Sequence, residues 1–121
     1  MDPKQKQQLQ PLSNQEIKQQ MTPLTQTTLE SLLQFIDPNP LVIVYFTAKW
    51  CGPCNRVNLN QVINTRPGIK WYLCDVDEND YSLGYCGGSS IPAWLPIVKG
   101  KAGTLYNHSN TDRICDWIRS L

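Results

Sequence analysis

Leu29, Leu32, Leu33 and Ile36 recur at i, i+3, i+4 and i+7, one face of an amphipathic helix over residues 27–36 that Asp37-Pro38-Asn39-Pro40 stops. Leu41 to Phe46 is a nearly unbroken apolar run of strand length. A strand of that kind is covered on both faces, which predicts parallel neighbours and crossover helices. A second helix is expected from about Pro53 to Asn64, burying Val57, Val62 and Ile63 and ending at Arg66-Pro67-Gly68. Ile69 to Val76 reads as a strand, and Asp75 to Asp80 opens a loop or short helix that leads into Gly84 to Ser90. Ala93 to Val98 and Thr104 to Tyr106, separated by the five-residue stretch Lys99 to Gly103, predict a hairpin in which Pro96 marks a bulge or an edge. Ile114, Trp117, Ile118 and Leu121 return to helical spacing under an Asn110 or Thr111 cap. Helix, strand, helix, strand, hairpin, helix describes an α/β domain with a central mixed sheet of about 4–5 strands and helices on both faces.

Before this pattern begins, residues 1–20 are glutamine-rich and poor in large apolar groups, so they read as a polar tail that cannot offset the entropy of ordering. The division that follows is an extension over 1–22 and a domain over 23–121. Within the extension, Ser13-Asn14-Gln15-Glu16 matches a capping box and predicts a short helix through Met21, with Ile17 and Met21 as its apolar stripe.

The whole chain, 121 residues with a net charge of +1, suits one domain and points to neither nucleic acid nor a membrane surface. No run approaches the roughly 20 apolar residues of a membrane span, and the first residues have no signal-peptide pattern, so a cytoplasmic protein is expected. Five cysteines agree with a reducing compartment, because Cys74, Cys86 and Cys115 show no framework spacing.

Chemistry concentrates where the apolar strand hands over to the second helix, at Lys49-Trp50-Cys51-Gly52-Pro53-Cys54. A cysteine at the first turn of a helix faces N–H groups without intrahelical partners, which favours thiolate and makes Cys51 the nucleophile. Gly52 permits a tight turn, Pro53 suits a first helical position, and Cys54 falls about one turn on, within reach of a small disulfide ring. Lys49 and Arg56, in a stretch from Pro38 to Cys74 without Asp or Glu, make the neighbourhood basic, whereas Arg66 and Lys70 read as solvated surface charges. The competing reading is half of a zinc site completed by Cys74, Cys86 and His108, which lack a second paired spacing.

Trp50-Cys51-Gly52-Pro53-Cys54 after an apolar strand resembles the active site of the thioredoxin family, and the resemblance runs from about Leu24 to Leu121. It implies the thioredoxin fold and reduction of protein disulfides through Cys51 and Cys54, with no cofactor or metal. Its implied partners are disulfide-containing proteins and an upstream electron donor similar to thioredoxin reductase. It also places Ile91-Pro92 at the family's cis-proline, where the backbone docks substrate, and Asn107-His108 at a Gly-Ala pair beside the disulfide. From that position His108, like Lys49, is a candidate modulator of the thiols.

Four positions depart from the family pattern. The buried acid and its lysine partner are replaced by Tyr45 and Leu73, a tryptophan by Thr47, and the proline that kinks the active-site helix by Leu59. These losses motivate an alternative, a thioredoxin-fold binding or scaffold module with little turnover. Trp94 and Trp117 read as core, Cys74 and Cys115 as buried thiols, and Cys86 as a thiol in an exposed loop open to oxidation.

Overall fold

The computed structural model describes residues 11–34 and 41–121. The first ten residues of the predicted tail, Ile36 and the Asp37-Pro38-Asn39-Pro40 stop lie outside the described residues. In chain order the elements are α1 (Asn14–Gln20), β1 (Thr22–Pro23), α2 (Gln26–Gln34), β2 (Leu41–Thr47), α3 (Gly52–Asn55), α4 (Leu59–Ile63) and β3 (Ile69–Asp75). There follow α5 (Tyr81–Tyr85), β4 (Ala93–Val98), β5 (Lys101–Ala102) and α6 (Thr111–Ser120). The five strands form one mixed sheet in the order β1-β3-β2-β4-β5. The first three of these run parallel; β4 is antiparallel to β2, and β5 to β4. This is the mixed α/β sheet expected from the residue pattern, and its order is the fold that the resemblance implied.

Strand β2 shows why both faces need cover. Its alternate residues Leu41, Ile43 and Tyr45 pack with α1, α4 and α6, while Val42, Val44 and Phe46 pack with α2 and α5. All seven residues are buried, and each large apolar side chain among them contributes roughly 1.5–3 kcal/mol. The expected parallel neighbour is β3; the other neighbour, β4, runs antiparallel to β2.

Three local expectations need correction. The single helix over residues 53–64 is two pieces, α3 and α4: Arg56 closes the first and the Asn58 side chain, accepting from Gln61 N–H, caps the second. The hairpin loop is two residues rather than five. Lys99 and Gly100 take φ of 52° and 77° between the Val98–Lys101 pair, and positive φ at both positions matches the twist of the flanking strands. Beyond it the return strand carries one extra residue between the Ile97–Ala102 pair and the Trp94–Tyr106 bridge, and Pro96 sits opposite with its carbonyl accepting from Gly103 N–H at 2.8 Å.

The third correction concerns the tail. Ser13 and Glu16 form the predicted capping box, but α1 is not a loose appendage: Ile17 is fully buried in the core and Met21 nearly so. Directly after it, Thr22 and Pro23 pair with Tyr72 and Leu73 as the sheet's edge, and Leu24 is buried in the opposite layer. Two apolar residues one turn apart were enough to dock a short helix, because the face they cover was already laid down by β2, α4 and α6.

Candidate active site

Strand β2 ends at Thr47, and the chain turns through Ala48, Lys49 and Trp50 into α3 at the sheet's edge nearest the carboxyl ends of β2 and β3. Cys51 is the N-cap of α3, and its sulfur accepts the backbone N–H of Cys54 at 3.2 Å. With α3 only one turn long, polarisation of the sulfur comes from this local N–H rather than from the long helix the sequence predicted. Cys51 and Cys54 are joined as a disulfide, with Cα atoms 5.3 Å apart. Both are nearly inaccessible, at 3% and 1% exposure, and form a small cluster with Ala48 against which Val76 and Ile91 pack.

Gly52 opens the helix rather than the turn before it, and Pro53 follows within the first turn, where its missing N–H costs nothing. Both are exposed, so the disulfide's outer edge is small and unencumbered. Trp50 is two-thirds exposed, and its indole N–H donates to the Asp77 carboxylate at 2.9 and 3.1 Å. Asp77 was not singled out from sequence; it lies in the turn after β3, and only the parallel pairing of β2 with β3 brings it across to Trp50. Ile91-Pro92 is a cis peptide bond, as the resemblance implied. The Ile91 carbonyl oxygen lies 3.9 Å from Cys51 Sγ, and Pro92 is buried beneath.

The remaining candidates are arranged differently. The Asn107 amide donates to the Ser90 and Pro92 carbonyls at 3.1 and 3.4 Å and so pins the cis-proline loop. His108 turns its ring to Tyr106, centroids 4.5 Å apart, and its carbonyl accepts from the Trp94 indole at 3.1 Å. The residue the structure brings to Ile91-Pro92 from this loop is therefore Asn107. Lys49 is exposed beside the disulfide turn, and Arg56 bends back toward Gly52. Acids offset this basic edge: Asp77 holds Trp50, and Asp75 and Glu78 share with Lys18 and Lys49 the walls of a cavity of about 240 Å³ under Ala48. Burial lowers the Lys18 ammonium pKa there, and the Asp75 carboxylate offsets part of that effect.

At the two positions where the family's acid–lysine pair is missing, the structure holds no charge. Tyr45 is fully buried and stacked on Trp94 at 4.1 Å, and burial pushes its phenol up to about 12, the neighbouring Thr47 hydroxyl lowering it slightly. Neither hydroxyl makes a well-formed hydrogen bond among the described residues. Leu73 packs against the same layer. As for the zinc reading, among the described residues no three His, Cys, Asp or Glu side chains converge on a metal-sized site. Cys51 and Cys54 are instead bonded to each other.

What this arrangement can do is exchange disulfides: a redox-active pair at a helix start, an exposed indole on one side and a backbone carbonyl on the other. Comparison with known proteins agrees. The thioredoxin family model matches residues 20–120. Thioredoxin-3 of Saccharomyces cerevisiae mitochondria is 31% identical over 98 residues, spanning 78% of this chain and 75% of that protein. The thioredoxin of Geodia cydonium is 48% identical over 64 residues, 51% of this chain and 60% of its own. Among solved structures, oxidised Thioredoxin 3 from Saccharomyces cerevisiae superposes with a TM-score of 0.75 at 25% identity, covering 87% of this chain and 99% of that one. Trichomonas vaginalis thioredoxin gives 0.66 at 31% identity, covering 83% and 96%.

Proposed function

The chain belongs to the thioredoxin family and is a thiol–disulfide oxidoreductase, and from that premise we propose that it reduces protein disulfides by two successive exchanges through Cys51 and Cys54. In the first, the Cys51 thiolate attacks one sulfur of a substrate disulfide; the substrate S–S bond breaks, a Cys51–substrate disulfide forms, and the other substrate sulfur leaves and takes a proton. In the second, the Cys54 thiolate attacks Cys51 Sγ, closing the Cys51–Cys54 bond and releasing the second substrate thiol. Two electrons pass to the substrate, and the product is the disulfide form of the site seen here. Each cycle then needs an electron donor, and the resemblance supports a thioredoxin reductase-like enzyme in that role.

The observation that carries the reading is the Cys51–Cys54 disulfide placed against the Ile91 carbonyl. An extended substrate segment would lie along the Ile91-Pro92 backbone, with Trp50 as a flat apolar wall held in place by Asp77. Main-chain pairing along that loop would give affinity without sequence preference, which suits a reductase of many proteins. We further propose a reducing compartment, the cytoplasm, a reading supported by the lack of framework spacing among Cys74, Cys86 and Cys115.

The test is insulin reduction followed by turbidity with dithiothreitol as donor. Wild type is expected to accelerate precipitation and Cys51→Ser to fall to the uncatalysed rate; equal rates for the two would overturn the assignment.

A further inference from the structure

A helix that the sequence pattern draws as continuous over residues 53–64 is broken between Asn55 and Leu59, and the groups orphaned by the break are met from outside. In an unbroken helix Leu59 N–H would bond to the Asn55 carbonyl and Gln61 N–H to the Val57 carbonyl. Instead Asn14, from the first turn of α1, inserts its amide into the gap. Its Oδ1 accepts from Leu59 N–H at 2.9 Å, and its Nδ2 donates to the Val57 carbonyl at 2.6 Å and the Asn55 carbonyl at 3.4 Å. Asn58 completes the set, its Oδ1 accepting from Gln61 N–H and its own N–H donating to Thr111 Oγ1 at 3.0 Å. One side-chain amide, with a donor and an acceptor side by side, thus stands in for a missing peptide group.

We propose that Asn14 is a positioning residue for the redox pair: it holds the active-site helix in its broken form, with Cys54 one residue from the clamped Asn55 carbonyl, and so sets the dithiol–disulfide equilibrium of Cys51–Cys54. The competing state is the unclamped break, in which the Leu59 N–H and the Asn55 and Val57 carbonyls are left to water and the short helix α3 frays. Asn14 supplies a partner for those groups in the clamped form alone, so the differential interaction that selects between the two states is visible in the structure. Helix α1, read from sequence as part of a polar tail, becomes a functional part of the site. The inference rests on the redox function proposed above.

The test is equilibration with glutathione, in which the dithiol form and one glutathione disulfide give the Cys51–Cys54 disulfide and two glutathione thiols. Loosening α3 weakens the Cys54 N–H donor to Cys51 sulfur, which stabilises thiolate more than disulfide, so Asn14→Ala should move the equilibrium toward the disulfide by about three- to tenfold. A merely structural contact would instead lower the melting temperature and leave the equilibrium constant unmoved. Rescue gives a second reading. Leu59 is the first residue of α4 and Asn58 before it is extended, a geometry that proline accepts, and Leu59→Pro removes the very N–H that Asn14 serves. In the Leu59→Pro background Asn14→Ala should therefore shift the equilibrium less than about twofold. Should that variant not fold, hydrogen exchange at the Leu59 amide decides, with protection expected to fall in Asn14→Ala.

An unchanged equilibrium constant in Asn14→Ala, an equal shift in the Leu59→Pro background, or an unchanged Leu59 exchange rate would each overturn the proposal. Wild type that reduces no insulin would overturn the function instead, and the exchange measurement would still report on the clamp.

Discussion

Cys54 and Cys74 are equally hidden, at 1% and 0% exposure, yet they sit in opposite chemical settings. Cys54 lies on α3 within bonding distance of Cys51, whose sulfur receives a backbone N–H, and the cluster around them is thin, with exposed Gly52 and Pro53 above. Cys74 lies near the end of β3, its thiol turned to the Asn79 carbonyl at 3.5 Å. Burial pushes that thiol up to about 12, with the Asp75 carboxylate and the Cys86 sulfur adding to the effect. Cys86, half-buried at the end of α5, is also raised by burial. Depth alone therefore makes a thiol inert, and a hidden thiol becomes a redox group when a neighbouring sulfur and an N–H donor are aligned with it.

The largest way to break this contrast is Cys54→Ser, which leaves the attack by Cys51 intact and removes the resolving sulfur. Insulin turnover should fall by more than about a hundredfold while mixed disulfides accumulate on Cys51, readable on non-reducing gels.

Next in size is alkaline stability. Folding raises the Cys74 value, so the folded chain keeps a proton that the unfolded chain gives up above its ordinary 9.0. The stabilisation is complete below that pH and is lost as pH climbs toward about 12, and Tyr45 acts in the same direction from 10.0 upward. Urea denaturation of the oxidised protein should show a falling midpoint between about pH 8.5 and pH 11, with a shallower fall in Cys74→Ala and in Tyr45→Phe. A wild-type midpoint that stays level over that range would remove the contrast.

A smaller effect is expected at Asp77, which orients Trp50 without touching sulfur. Asp77→Ala should lower kcat/KM for insulin by about fivefold, roughly one charge-assisted hydrogen bond, with the loss mainly in KM. The smallest is Cys86→Ser, expected to keep reductase activity within about twofold, since a thiol raised by burial contributes neither nucleophile nor resolving group. A large loss there would show that Cys86 belongs with the reactive pair rather than with Cys74.

Much of the architecture was legible because it rests on periodicity. Apolar residues at period 3.6 in α2 and α6, and the unbroken run of β2, recovered these elements to within a few residues, and the β4 hairpin was recognised with its loop misjudged. Cys51, Cys54 and the cis bond at Ile91-Pro92 were readable from a short motif and from family resemblance. Asp77 and Asn14 were not, because each acts on partners 27 to 45 residues away through polar contacts that leave no periodic trace, and Asn107, placed beside the disulfide by resemblance, was not read as the residue that pins the cis-proline loop. His108 was favoured over Asn107 for its titratable ring, although the geometry of the loop turns the neighbouring amide to the cis-proline.

By itself the sequence determined which segments can be helix or strand, that the sheet has two covered faces, and where the reactive sulfurs lie, since these follow from hydrophobic period and from local backbone chemistry. Tertiary structure alone decided that residues 53–64 are two helices and not one, that α1 belongs to the core, and which carboxylate meets Trp50. The reason is common to all three. Local propensity is nearly indifferent between the alternatives, and a few hydrogen bonds or one buried isoleucine, supplied by elements distant in the chain, outweigh that small difference.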